Sequence, residues 1–341
     1  MQVYGQVDYR MPLREIESFS QRVEALGYDG LVVPDSVHDG FLACYAALRQ
    51  TSRLKIASSV IVAFPRSPMI TAVAAWDLQS SSGGRYELGL GTQVRGNVVG
   101  RYSTAWTPPV PRMKEYIESL RAIWHAFQSG GALDYRGEHY RFTRLQPFFS
   151  PGPIEHPEVP IFVGAVGPRM TELIGEIADG LMTHSTNSDP EYLRRMTRPS
   201  LARGAERAGR RAASIELLAS PFIATGATSA EVDSERERIR DLLGFLFSTP
   251  GYGRPLAMRG WEELGDRLHA LSRAGKWTEL GRQIPDELLT TLVPCGTYDE
   301  IVPILSGWYR GVSSMLFFPV PTDPQQDRRV ATVVEALKTA R

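Results

Sequence analysis

The sequence predicts an α/β barrel, a ring of strand-and-helix units around one parallel sheet, and three observations carry that expectation. Short β-branched or apolar runs alternate with longer amphipathic stretches, and eight such runs can be counted. A chain of 341 residues with 43% hydrophobic content can bury one large core. The run Tyr86-Glu87-Leu88-Gly89-Leu90-Gly91 passes straight into Thr92-Gln93-Val94-Arg95. An apolar strand ending in Gly-x-Gly lets backbone approach a flat ligand, and the carboxyl-terminal strand tips of a barrel are where ligands collect.

The units follow in order. Residues 3–8 form the first strand, and residues 12–26 a helix carrying Leu13, Ile16, Phe19, Val23 and Leu26 on one face, stopped by Gly27. Residues 30–34 and 41–50 are the second strand and helix. Residues 54–64 read as a nearly continuous apolar third strand, as expected where both faces are covered, and 68–81 as its helix with proline in the first turn. Strand four is 85–91 and its helix 112–127, separated by about twenty residues rich in Gly and Pro; loops of that length are usually functional. A hairpin falls within 130–157, around Arg136-Gly137-Glu138. Strand five is 159–163 with helix 168–178, strand six 180–183 with helix 190–208, and strand seven 215–224. Two or three helices occupy an insertion over 229–292, whose irregular part, 249–290, forms a lid or helical insertion beside the mouth. Strand eight is 314–318 and the last helix 325–338. The whole, 1–341, reads as one domain.

Composition narrows the function. Lys+Arg and Asp+Glu both count 38, so there is no basic field for nucleic acid or anionic lipid, and a small-molecule partner is expected. Cys44 and Cys295 alone make neither a disulfide framework nor a C-x-x-C pair, which fits a reducing cytoplasm. The amino terminus lacks a basic region followed by an apolar run, and nothing approaches 18 consecutive apolar residues, so neither secretion nor membrane insertion is expected. Six histidines without H-x-x-x-H spacing argue against a metal centre. No G-x-S-x-G elbow appears, and the glycines after strand four miss the dinucleotide fingerprint.

Several constellations could carry chemistry. The turn Gly164-Ala165-Val166-Gly167-Pro168-Arg169 leads from a strand into a helix, where free N–H groups and Arg169 can hold an anion; a tight turn that binds nothing explains the same letters. Arg112 is a second anion contact or an exposed first-turn arginine. Ser58 and Ser59 interrupt strand three and must find partners, in the sheet or in a ligand. Asp8, Asp35, His38 and Asp39 fall at or beyond strands one and two, where a histidine among carboxylates could shuttle a proton or the acids could cap helices. His184 closes strand six, either reaching a cofactor or making a structural hydrogen bond.

With these residues in view, the chain resembles the bacterial luciferase-like family, in particular its coenzyme F420-dependent oxidoreductase branch. The resemblance runs over nearly the whole length. It rests on Arg66-Ser67-Pro68 through Thr71-Ala72 to Gly84-Arg85 and Leu88-Gly89-Leu90-Gly91, on Arg112-Met113-Lys114-Glu115-Tyr116, on Val163 to Arg169 with Ala178-Asp179-Gly180, and on Gly296-Thr297-Tyr298-Asp299-Glu300-Ile301. It implies a (β/α)8 TIM barrel with a helical insertion after strand seven and a flavin-like ring at the strand tips. A non-proline cis peptide would fall at Ser59-Val60, behind the ring. The tail phosphate would lie at Ala165, Val166 and Gly167 near Arg112, with Thr92, Gln93 and Val94 bordering ring and substrate. Two copies of such barrels often pair, so a homodimer is expected.

The chain departs from the sugar-phosphate dehydrogenases of that family. Asp35-Ser36, with His38 two positions on, stands where they have an Asp-His pair, and Val94 where they have a glutamate. Their acid/base assignment therefore does not transfer, and the substrate is expected to be larger and less polar. The reading is hydride transfer between coenzyme F420 and an organic substrate, with His38, Asp35 and Tyr9 as candidate proton donors. The alternatives are a reduced-FMN monooxygenase and a non-catalytic barrel that binds a flavin or metabolite.

Overall fold

Eight parallel strands close on themselves in the computed structural model, which describes residues 1–340. Round the ring they run Gln2–Gln6, Gly30–Val33, Lys55–Ser58 continued by Ile61–Val62, Tyr86–Gly91, Ile161–Ala165, Gly180–Thr183, Glu216–Ala219 and Met315–Phe317. Pairings such as Ile56 with Tyr86, Leu88 with Ile161, Leu218 with Met315 and Val3 with Leu316 leave no open edge. The expected (β/α)8 TIM barrel is the fold.

Inside the ring, Tyr4, Val32, Ala57, Phe162, Met182, Leu218 and Met315 make an apolar plug. Gly30 and Gly180 are required there, because a Cβ on either would stand 2.1 Å from the ring of Tyr4 or Phe162. At the amino-terminal end the Tyr4 hydroxyl donates to the Glu87 carboxylate at 3.1 Å, and Lys55 Nζ stands 3.1 Å from the same group. Burial pushes the Glu87 carboxyl above the usual range, and Lys55 works against that. That end is sealed, which leaves the carboxyl-terminal end as the mouth.

A second apolar layer packs the outer helices on the sheet; Met113, Ile117, Leu120 and Trp124 of helix Pro109–Ser129 bury the face read from the sequence. The insertion has its own core of Leu243, Phe247, Leu256, Leu264, Leu268 and Leu289. It holds four helices rather than two or three: Ser229–Phe247, Arg254–Ala257, Glu262–Arg273 and Asp286–Leu292. Among the described residues no helix is long and apolar enough to cross a membrane.

Three expectations change. Strand three is broken at Ser59-Val60, whose peptide bond is cis, instead of running through 54–64. Strand seven stops at Ala219, because the next backbone N–H, of Ser220, turns to the Thr183 and Ser188 hydroxyls and Pro221 has none to give. Ala224–Gly226 instead pairs with Cys295–Thr297 in a separate two-stranded sheet. The loop after strand four contains the helix Arg95–Gly100, too short and too rich in glycine to show a period.

Candidate functional site

A cleft of about 930 Å3 opens at the mouth over strands two to six. Its floor is built by the break in strand three. Ser58 Oγ donates to the Gly89 carbonyl at 3.0 Å and accepts the Gly89 N–H at 2.9 Å, which clamps the bulge to strand four. A Cβ on Gly89 would lie 1.8 Å from the Ser58 carbonyl oxygen, and one on Gly91 would lie 2.3 Å from Val60 Cγ2. The sequence reading had these glycines admit a flat ligand. They admit the neighbouring strand, and so seat Val60 between Gly91 and Gly164 as the platform of the cleft, which Gly91 also lines.

Beside the platform, strand five turns into helix Pro168–Ile177. Helices Gly40–Arg49 and Pro68–Ser82 are capped by the Asp39 and Ser67 side chains, whereas this one begins at Gly167 and has no side-chain cap. The Ala165 and Val166 carbonyls are taken by Asn187 Nδ2 and the Tyr192 hydroxyl, each at 3.3 Å. Asn187 and Tyr192 thus tie down the acceptors at the turn, while the first-turn N–H groups, with the positive end of the helix, border the cleft. Arg169, Arg254 and Arg101 also line it; among the described residues none of the three has a carboxylate partner. The cleft is cationic.

The remaining wall is polar and held. Gln93 has a left-handed backbone, φ 59°, steadied by its own Oε1, which accepts from Val94 N–H at 2.9 Å and Asn97 Nδ2 at 3.1 Å. His184 stacks on Tyr252 of the insertion, centroids 4.4 Å apart and planes 7° from parallel. Burial lowers its pKa from 6.5 to about 4, so the ring is neutral at pH 7. The Thr186 N–H points at Nδ1 at 3.3 Å, which makes Nδ1 the acceptor and places the proton on Nε2.

The structure gathers Asp35, Ser59, Val60, Thr92, Gln93, Val94, Ala165, Val166, Gly167, Arg169 and His184 around one cleft. It separates three others. Arg112 does not line the cleft; its guanidinium donates to the Tyr140 hydroxyl and to the carbonyls of Ala105 and Phe64, and lies over the Phe64 ring. Tyr9 lines a different cavity, over strands one, seven and eight, and His38 lines neither. Asp35 reaches the cleft with its carboxylate spent: it accepts the Gly40 and Val62 N–H groups and forms a two-pronged pair with Arg66 at 2.7 and 3.2 Å. It braces the bulge. Arg254 and Arg101 line the cleft where Arg112 does not. Arg254 and Tyr252 escaped the sequence reading; the only signal was the run Gly251-Tyr252-Gly253-Arg254 in the irregular part of the insertion.

The sequence matches the luciferase-like monooxygenase family over residues 1–312. The chain belongs to that family. It is 40% identical over 290 residues, 85% of each chain, to an uncharacterized protein from Mycobacterium tuberculosis. It is 25% identical over 339 residues, 95% of this chain and 94% of the other, to the 5,10-methylenetetrahydromethanopterin reductase of Archaeoglobus fulgidus. Among solved structures, the coenzyme F420-dependent tetrahydromethanopterin reductase of Methanopyrus kandleri superposes with a TM-score of 0.80 at 17% identity, covering 99% of this chain and 98% of that one. This luciferase-like barrel therefore shares its fold with an F420-dependent reductase.

Proposed function

We propose that the protein is an oxidoreductase that passes hydride between a deazaflavin, coenzyme F420, and an organic small molecule. The cationic cleft carries this reading. FMN ends in one phosphate, whereas the deazaflavin tail adds carboxylates beyond it, and a track of three arginines without acids matches the longer anion. A likeness of 29% identity over 284 residues to a putative coenzyme F420-dependent oxidoreductase of Mycobacterium tuberculosis supports the same choice.

When bound, the deazaflavin supplies a carbon that takes up or gives hydride. The chain's own residues position and desolvate. Val60 would back the ring, and the turn Ala165 to Gly167, with Arg169 and Arg254, would hold the phosphate. Thr92 and Gln93, which line the cleft, would offer hydrogen bonds to the ring, and the stacked pair His184 and Tyr252 would keep water from that side of the mouth. Asp35 serves by holding the platform in place.

Titration of the purified protein with each cofactor tests the reading. Deazaflavin binds more tightly than FMN, and Arg254→Ala and Arg169→Ala each weaken it about tenfold, the order of one charge-assisted hydrogen bond. Tight binding of FMN with none of the deazaflavin would replace this reading by a flavin monooxygenase.

A further inference from the structure

The mouth contains a second cavity, of about 540 Å3, which the cofactor reading does not use. It stands over strands one, seven and eight. Tyr4, Leu218 and Met315 point into the barrel plug, so the residues two positions on, Gln6, Ser220 and Phe317, also point inward, one layer higher; all three line this cavity. The cleft and the cavity are therefore two compartments of one mouth. The turn after strand six stands at one side of their boundary, with His184 lining the cleft and Ser185 the cavity. That turn is tied by the Thr183 to Ser188 hydroxyl contact at 2.5 Å and by the Ser220 N–H to Thr183 Oγ1 at 3.0 Å.

The chemistry of this compartment is unlike that of the first. Two acids, Asp8 and Glu235, and two arginines, Arg22 and Arg238, line it, and the arginines are already engaged. Arg22 is paired with Asp327 at 2.6 Å and also donates to the Pro321 carbonyl at 2.8 Å, while Arg238 meets Glu235 at 2.5 Å. Pro221, Pro319 and Pro321 occupy wall positions where other residues would present N–H groups. Met11, Phe19, Phe222 and Val320 add apolar surface. Among the described residues the Gln6 amide and the Tyr9 hydroxyl find no hydrogen-bond partner and remain as polar handles.

We infer that this compartment binds the substrate, and that the substrate is an uncharged, mainly apolar organic molecule with one or two hydrogen-bonding groups. Naming the occupant as substrate rests on the oxidoreductase reading; the binding site and its chemistry do not. Its volume lies within the ~300–1,000 Å3 of drug-sized ligand sites. An anion entering here would meet engaged arginines and walls short of donors.

Fluorescence titration with N-phenyl-1-naphthylamine, a neutral aromatic amine that brightens in apolar surroundings, tests the inference on the full chain. The wild-type protein binds the probe, and binding persists when the cleft is filled with deazaflavin or FMN. Gln6→Trp and Ser220→Trp, whose native side chains make no hydrogen bond in the fold, each fill the compartment and weaken probe binding at least tenfold. Arg254→Ala leaves it unchanged. The tryptophan at either position suffices if the other fails to fold. Absence of probe binding, equal binding by both tryptophan variants, or displacement of the probe by either cofactor would overturn the inference. Equally sensitive binding of the sulfonated analogue would overturn its neutrality. If the probe behaves as expected and neither cofactor binds, the oxidoreductase reading fails and the apolar site stands.

Discussion

Arginines border both halves of the barrel mouth, yet only one half carries their charge. Over strands two to six, Arg101, Arg169 and Arg254 stand without acids, beside an uncapped helix start. Over strands one, seven and eight, Arg22 and Arg238 are neutralised by Asp327 and Glu235, and proline replaces backbone donors. One insertion serves both, giving Arg254 to the first half and the Glu235–Arg238 pair to the second. The lesson is that the field of a cleft follows from which cations find a carboxylate, not from how many are present.

The bulge is where this comparison can be broken most severely. Gly89→Ala drives a methyl group against the Ser58 carbonyl, a backbone atom that cannot step aside, and is expected to cost about 4 kcal/mol or more, read as a large fall in melting temperature. An unchanged melt would show that the platform is not set by that contact. Gly91→Ala acts on one half only: its Cβ meets the Val60 side chain, so cofactor binding weakens while the apolar compartment keeps its probe.

The next test separates the insertion from the barrel. Arg259, on the insertion, is paired with the buried Asp189 after strand six and lies 3.2 Å from Glu191. Burial raises the Asp189 carboxyl above its usual range, with Arg259 pulling it back. Arg259→Ala leaves a buried carboxylate alone and is expected to cost about 3 kcal/mol. Limited proteolysis should then cut within 249–262 faster than in the wild type, and loss of Arg254 from the cleft should weaken cofactor binding more than probe binding. Cleavage at the wild-type rate would mean the insertion is held elsewhere.

The barrel itself was legible in the sequence because each unit repeats one pattern, a strand apolar on both faces and a helix apolar on one. All eight strands begin within two residues of their expected start, although strand three is broken and strand seven ends early. The turn at Ala165 to Gly167 was legible too, since strand, small residues, proline and helix are adjacent in the chain. Partnership was not. Asp35 and Arg112 have the right types in the right places, but Arg66, Tyr140 and two carbonyls claim them across the fold. Glycine at a strand tip has two physical causes, a ligand or a neighbouring strand, and the letters are the same for both. Arg254 lies some ninety residues from the turn it serves, in a stretch without period.

His184 sharpens the comparison at the boundary of the halves. Desolvation holds the folded ring neutral down to about pH 4, while the unfolded ring gains its proton near pH 6.5. Between those values the unfolded chain binds the extra proton, so this histidine's contribution to stability is intact above pH 6.5 and is lost as pH falls toward 4. The full span corresponds to about 3 kcal/mol. His184→Phe keeps an aromatic face against Tyr252 and removes the titration. Its stability should therefore fall less than that of the wild type between pH 6.5 and 4, by up to that amount, in denaturant melts at matched pH. Parallel curves for the two proteins would mean that water reaches the ring in the folded state, and that the boundary between the charged and the apolar compartments is wetter than its packing indicates.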